Sequence, residues 1–223
     1  MSHQYISAVD TAKLVRQALK EAFPGVKFSV RSDGSLRVRW TDGPNEDQVK
    51  AVINCFRGGY FDGMTDYAGA MYAMFDGVET RFGCDYIFYD RDYSDSMNQM
   101  AIDAIYRRFE GNFIEAGIEK PNVHDFKQGK YWCTQLPGLH HWGNQSVQCE
   151  VNATRYKMTD RLKINESKTA ARVTAIRSDG YVESLNKAHA DRQADAKPEQ
   201  PEALPTQSRP LLVVVANSSN TFH

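Results

Sequence analysis

The chain has no long hydrophobic run and almost no net charge, and each of these features excludes a class of protein. No stretch approaches the roughly 18 apolar residues that a membrane span needs. Its 27 lysines and arginines nearly balance 28 aspartates and glutamates, which gives a formal net charge of −1. This balance argues against a wholly basic protein that coats nucleic acid, and equally against a uniformly acidic DNA mimic. Any function that depends on charge must therefore be local.

Cysteines are few and none of them form a CxxC pair. There are four, at Cys55, Cys84, Cys133 and Cys149. The first residues, MSHQYISAVD, contain no basic segment followed by an apolar one, so we expect no secretory signal. Cysteines in a chain without an export signal are typically reduced thiols, and the expected location is the cytoplasm.

The common catalytic motifs are absent as well. The sequence contains no phosphate-binding loop, no GxSxG and no HExxH. Ligand and nucleophile chemistry is concentrated in one stretch, at His124, Cys133, His140, His141 and Cys149. Their spacings match no zinc motif and no orienting partner accompanies a Cys–His pair, so buried thiols and surface histidines are the simpler interpretation. We expect no catalytic residue, metal or cofactor, and an enzyme that uses this cluster is the weakest alternative.

What the sequence does contain is clear periodicity, which predicts an α+β fold. Apolar residues recur at helical spacing over residues 7–23, with Ser7 as the N-cap. Residues 26–40 alternate on both sides of a Ser-Asp-Gly-Ser turn and predict a hairpin with one buried face. A second helix, a strand at 84–91 and a helix from Ser94 to Phe109 follow. The predicted order is helix, hairpin, helix, strand, helix, with a partly antiparallel sheet.

Other segments are less regular. Residues 67–76 are predicted as a short helix, and residues 146–151 as a short strand within a loop-rich region. Residues 166–194 have helical character but carry Gly180 in the middle. The proline-rich stretch that follows, with its short LLVVVA run, predicts a disordered, flexible tail. We therefore divide the chain into an α+β domain at 5–109, a less regular region at 110–193 that is packed on it or separate, and a tail at 194–223.

One side of the predicted hairpin is basic. It carries Lys27, Arg31, Arg37 and Arg39, with no acidic residue between them within the strands. Such a face can lie along nucleic-acid phosphates, since each cation there displaces a condensed counterion. The alternative is the ordinary polar outer face of a hairpin, where lysine and arginine also prevent edge-to-edge aggregation.

An acidic, tyrosine-rich segment follows the hairpin. Eight acidic residues lie between Asp62 and Asp95 against two arginines. Such a patch can dock on a basic surface of another protein, because aromatic residues supply contact area and charge supplies steering. The alternative is a solvated strand and loop, and a calcium site is disfavoured because the spacing lacks the glycine and glutamate of a calcium loop. The candidate protein-binding residues are Asp85, Tyr86, Tyr89, Asp90, Asp92, Tyr93 and Asp95.

Several segments in order carry a resemblance to a known family. They are YISAVDTAKLVRQALKEAFPGVKFSVRS, VRWTDGP with the helix after it, FDGMTD, and RFGCDYIFYDRDYS. Together they resemble large polyvalent protein-associated domain twenty-nine, a family of plasmids, conjugative elements and phages, over the predicted domain at 5–109. The resemblance implies a protein that helps a mobile element to become established in a new host, including by countering host defences. It implies no catalytic residues.

The leading hypothesis is a non-enzymatic accessory protein of a plasmid or phage that binds and inhibits a host defence protein. A CRISPR effector or a restriction enzyme would be the partner, giving an anti-CRISPR or anti-restriction activity, and the acidic segment would be the contact. The alternative is a nucleic-acid-binding module that uses the basic hairpin face. No membrane partner is expected, and the sequence leaves the oligomeric state open.

Overall fold

The computed structural model describes residues 4–136, 146–159 and 164–195. Within these ranges the chain forms both helices and mixed sheets, which confirms the α+β class. The helices are α1 (Ala8–Ala22), α2 (Glu46–Ile53), α3 (Asp95–Arg108), α4 (Glu110–Glu115), α5 (Val123–Lys127), α6 (Val147–Lys157), α7 (Lys168–Ala171) and α8 (Tyr181–Asp195). The strands are β1 (Gln4–Ile6), β2 (Ser29–Ser32), β3 (Leu36–Thr41), β4 (Gly59–Asp62), β5 (Tyr67–Phe75), β6 (Val78–Phe82), β7 (Ile87–Asp92) and β8 (Val173–Ser178).

The strands form two sheets. The smaller has the order β2-β3-β7, in which β2 and β3 are the predicted antiparallel hairpin and β7 runs parallel to β3. The larger has the order β1-β6-β5-β4, and β8 also pairs with β5. In this sheet only the pairing of β1 with β6 is parallel among the described strands.

The main hydrophobic core lies beneath both sheets. Helix α1 begins at Ser7, whose hydroxyl accepts the Asp10 backbone N–H as an N-cap at 3.1 Å, and it buries one apolar stripe. Helix α2 begins with a reciprocal capping box between Asn45 and Gln48. The hairpin adds Val30, Leu36, Val38 and Trp40 to this core, on the face that alternation predicts.

A second core joins helices α3 to α6. Ile102 and Ile105 on α3 pack with Phe113, Phe126 and the apolar side of α6. Helix α3 thus belongs to this second cluster, while β8 from the C-terminal part adds a strand to the larger sheet. The predicted division between 5–109 and 110–193 remains a prediction.

Two predicted elements are wrong. Residues 67–76 are mainly strand β5, because pairing with three other strands outweighs the helix propensity of their alanines. Residues 146–151 begin helix α6, where Ser146 is the N-cap and Val147 and Val151 share a buried face at helical spacing. Strands β4, β5 and β6 therefore interrupt the predicted order after the second helix.

Residues up to Ser184 form one compact unit, and residues from Leu185 belong to a second. Gly180 has a φ of +77°, and it separates β8 from α8 within the stretch predicted as helical. The predicted tail lies outside the described residues from position 196 on. Among the described residues, every helix is too short or too polar to cross a membrane.

Candidate binding surface

The outer face of the β2-β3-β7 sheet brings the basic hairpin residues next to part of the acidic segment. Residue pairing aligns Arg31 with Arg37, then Arg37 with Phe88 and Arg39 with Asp90. Phe88 is 48% exposed on this face. Parallel strands are usually covered on both sides, so an exposed aromatic ring on the parallel β3–β7 pair is unusual. We call this exposed side, with Ser29, Arg31, Arg37, Arg39, Thr41, Phe88, Asp90 and Asp92, the outer face.

Asp90 is the counterion of two of the three arginines. Its carboxylate lies 3.2 Å from Arg37 Nη1 and 3.6 Å from Arg39 Nη2. Arg31 has no ion-pair partner within the part of the chain that the structure describes. The guanidinium of Arg37 also lies 5.7 Å from the centre of the Phe88 ring, within the range of a cation–π contact. The outer face therefore carries cations in excess around one aromatic ring.

Two cavities open along this face. Ser29, Arg31, Arg37 and Arg39 line a small pocket of about 80 Å³, which we call the arginine pocket. A larger groove of about 810 Å³ adjoins it, because Ser29 and Arg39 line both. Lys27, the fourth residue of the predicted basic face, lies in this groove.

The inner side holds the outer face in place. Trp40 is buried, and its indole N–H donates to the Pro44 carbonyl at 2.9 Å. Phe28 packs between Phe23 and Trp40, with ring centres 5.8 Å from each. Arg16 on α1 donates to the Val30 carbonyl at 2.6 Å. The arginines of the outer face therefore project from strands that are fixed to α1 and the core.

Arg91 ties β7 to helix α6. Its guanidinium donates to the carbonyls of Asp42 (2.9 Å) and Gly43 (3.1 Å) in the loop after β3. It also donates to the carbonyls at the end of α6, of Met158 (2.9 Å), Tyr156 (3.2 Å) and Arg155 (3.4 Å). Burial lowers the pKa of Arg91, while Tyr93, Asp42 and Tyr156 act to raise it. A cation that satisfies the free carbonyls of a helix end is a stabilising arrangement.

The structure does not gather the predicted acidic residues on one surface. Asp85 pairs with Arg81, Asp90 with the hairpin arginines and Asp95 with Lys127. Tyr89 points inward, donates to the Asn54 side chain at 2.7 Å, and has a pKa raised by burial. Tyr93 lies under the guanidinium groups of Arg91 and Arg155. Only Asp90 and Asp92 of the predicted set lie on the outer face, and Tyr86 is exposed just before β7.

The histidine and cysteine cluster is described only in part. His140 and His141 lie outside the described residues, whereas His124, Cys133 and Cys149 lie within them. Among the described residues no three His, Cys, Asp or Glu side chains are placed to hold a metal ion. Cys55 and Cys84, outside this cluster, have thiol pKa values raised by burial to about 11, so they are protonated at neutral pH.

Two carboxylates hold the region around α7 and β8. Asp179 accepts hydrogen bonds from the Tyr60 hydroxyl (2.8 Å), the Tyr67 hydroxyl (3.1 Å) and the Ala70 backbone N–H (2.8 Å). Glu21 on α1 accepts from the residues that begin α7, Ser167 and Thr169, at 2.8–3.0 Å. Both carboxylates are saturated with donors, which is typical of structural anchors.

Phe88 is the main functional candidate that the sequence alone did not single out. In CDYIFYDR it is one of several aromatic residues of a strand, and nothing local indicates that it faces solvent. The sequence feature that could have indicated Phe88 is its position two residues before Asp90, which places both side chains on the same side of the strand. Its neighbour Arg37 lies 51 residues earlier in the chain, so only the sheet pairing reveals the contact.

Comparison with known proteins supports the resemblance. The model of the family described as large polyvalent protein associated domain 29 matches residues 6–94. A comparison with curated proteins gives no match, nor does one with solved structures. The matched region runs from the end of β1 to just before α3, and it contains every residue of the outer face. Residues 6–94 thus match the family of large polyvalent protein associated domain 29.

Proposed function

We propose that this protein is a mobile-element accessory protein that acts by binding, and that its outer face binds single-stranded nucleic acid. The observation that carries this proposal is that three arginines and an exposed phenylalanine share one side of a sheet. Arginines contact phosphates through two donors at once, and an exposed ring stacks on any base. The mobile-element context comes from the family.

The dimensions of the face favour a single strand. From β2 to β7 the sheet spans two strand spacings, roughly 10 Å, which suits one chain of nucleotides. Stacking on Phe88 also requires a base whose flat side is free, and bases in a duplex are stacked on each other. The adjoining groove places one more cation, Lys27, beyond Arg39, although Asp42 and Asp92 also line it.

The test is fluorescence anisotropy with a labelled 20-nucleotide single strand over a series of salt concentrations. The variant Arg31→Gln/Arg37→Gln/Arg39→Gln should bind weakly, with a salt slope lower by about 2, at roughly 0.7 per lost phosphate contact. The matched control replaces three exposed cations elsewhere, Lys20, Arg107 and Arg108, with glutamine. An equal loss of affinity in both triple variants would mean that only net charge matters, and the proposal would then be wrong.

Phe88→Ser tests stacking separately from charge. We expect a loss of affinity of about fivefold to 150-fold with no change in the salt slope, because stacking contributes about 1–3 kcal/mol per base. Ile114→Ser is the matched control, since Ile114 is also exposed and lies on α4, outside the outer face. Equal binding by the Phe88 and Ile114 variants would remove the ring from the proposed site.

Inhibition of a host defence protein is the second candidate function, and the same surface supports it. Exposed aromatic and arginine side chains are enriched at protein interfaces. The family context favours a CRISPR effector or a restriction enzyme as the partner. Here the test is phage or plasmid restriction in hosts that carry one defined defence system, with and without the protein. Unchanged restriction in every such host, with no defence component recovered by pull-down, would exclude this function.

A further inference from the structure

The arginine pocket is large enough for one tetrahedral oxyanion. Its volume of about 80 Å³ exceeds the roughly 30 Å³ that one water molecule occupies in the liquid. Ser29, Arg31, Arg37 and Arg39 line it, and each of these side chains can donate hydrogen bonds. This composition suits a phosphate group better than a neutral or cationic ligand.

The arginines that line the pocket destabilise the hairpin locally. Arg31 lies directly opposite Arg37 in the antiparallel pair, and like charges in that position are destabilising. A single acid, Asp90, contacts Arg37 and Arg39 from β7. Without a ligand the three arginines are therefore only partly neutralised.

We propose that the arginine pocket binds one phosphate of a nucleic-acid strand, and that Asp90 is a built-in competitor for it. This inference rests on the nucleic-acid binding proposed above. When the phosphate enters, it takes over the donors of Arg37 and Arg39 that Asp90 holds in the free protein. The Asp90 side chain is 33% exposed, so water solvates it when those donors turn away.

Asp90 thus sets how tightly the face binds. Each strand that binds must displace two exposed ion pairs, and it must also approach a negative charge that remains beside the pocket. The acid keeps the affinity for any single phosphate low, so that stable binding depends on a second contact. The Phe88 ring supplies that contact. It lies beside Arg37 and is on the same strand as Asp90, β7.

The experiment compares Asp90→Asn with Glu115→Gln, using the same labelled strand at low salt. Glu115 is an exposed acid on α4, outside the outer face, with no ion pair among the described residues, so both changes raise the net charge by one. We expect about a fivefold gain in affinity for Asp90→Asn and less than twofold for Glu115→Gln. Inorganic phosphate should compete more effectively with the strand in the Asp90 variant.

The outcomes separate this inference from the proposed function. If the wild type binds the strand and the triple arginine variant does not, but Asp90→Asn and Glu115→Gln bind equally, the function stands and the role of Asp90 is refuted. If neither the wild type nor Asp90→Asn binds, both proposals are refuted. Far-UV circular dichroism and thermal unfolding of each variant show whether a change in affinity reflects a change in fold.

Discussion

Replacing Arg91 with methionine should destabilise the protein by about 3 kcal/mol. The methionine keeps most of the apolar stem and removes the guanidinium, which donates to five backbone carbonyls between 2.9 and 3.4 Å. Hydrogen bonds to a charged group contribute about 1.5–3 kcal/mol each but are not additive. Because water can hydrogen-bond to some of the carbonyls that lose the guanidinium, we expect the total loss of unfolding free energy to equal that of about two such bonds. This is a large fraction of the roughly 5–15 kcal/mol by which domains are stable.

Urea unfolding followed by fluorescence measures this free energy. The matched control is Arg107→Met, since Arg107 is exposed on α3. Arg91→Lys should lose most of the same free energy, because an ammonium group cannot direct donors to the β3–α2 loop and the end of α6 at once. If Arg91→Met and Arg107→Met unfold within about 0.5 kcal/mol of each other, the bridge between β7 and α6 contributes nothing to stability.

Three further predictions concern the anchors and one glycine. Burial tends to raise the pKa of Glu21, but hydrogen bonds from Thr169, Gln17 and Ser167 outweigh it and lower the pKa to about 2 from 4.5. Its contribution to stability should be complete above pH 4.5 and lost as the pH falls towards 2, so the difference in unfolding free energy between wild type and Glu21→Gln should shrink over that range. Burial and the hydrogen bond to Asp179 raise the pKa of Tyr60 to about 12. The protonated hydroxyl therefore stabilises the folded state below pH 10, and this contribution should be lost as the pH rises from 10 to 12. In Tyr60→Phe, the free energy of unfolding should decrease less over that range. Gly58→Ala should lower the free energy of unfolding, measured in urea, by more than about 3 kcal/mol, because the new Cβ would lie 1.7 Å from the Phe82 carbonyl oxygen. The control is Gly111→Ala on α4. Its Cβ meets no atom within 4 Å, so this change should be neutral or stabilising.

The local elements that the sequence predicted correctly are those with a strong pattern and a clear boundary. Helix α1 has an N-cap serine and an unbroken apolar stripe, and the hairpin alternates on both sides of a turn. The family resemblance over the N-terminal part was likewise carried by local segments, and it is confirmed for residues 6–94. For β5 the prediction failed because alanine and methionine are good helix formers, and only the neighbouring strands make that segment extended.

The candidate site was predictable only in part. Alternation identified Arg31, Arg37 and Arg39 as one exposed face, because side chains two apart on a strand point the same way. It could not identify Phe88 or the role of Asp90, since these depend on which strand lies beside β3. The acidic segment was expected to be one surface, but its carboxylates contact cations from distant parts of the chain, such as Lys127 for Asp95.

By itself the sequence determined the periodic elements, the basic face of the hairpin and the family, because each of these depends on residues close together in the chain. The tertiary structure decided the rest. Parallel pairing of β3 with β7 joins residues about 50 positions apart, and it converts a basic hairpin and an acidic strand into one face with an internal ion pair. Alternation along each strand specifies the face that it buries. Which strand then lies beside β3 is decided by packing against a shared core.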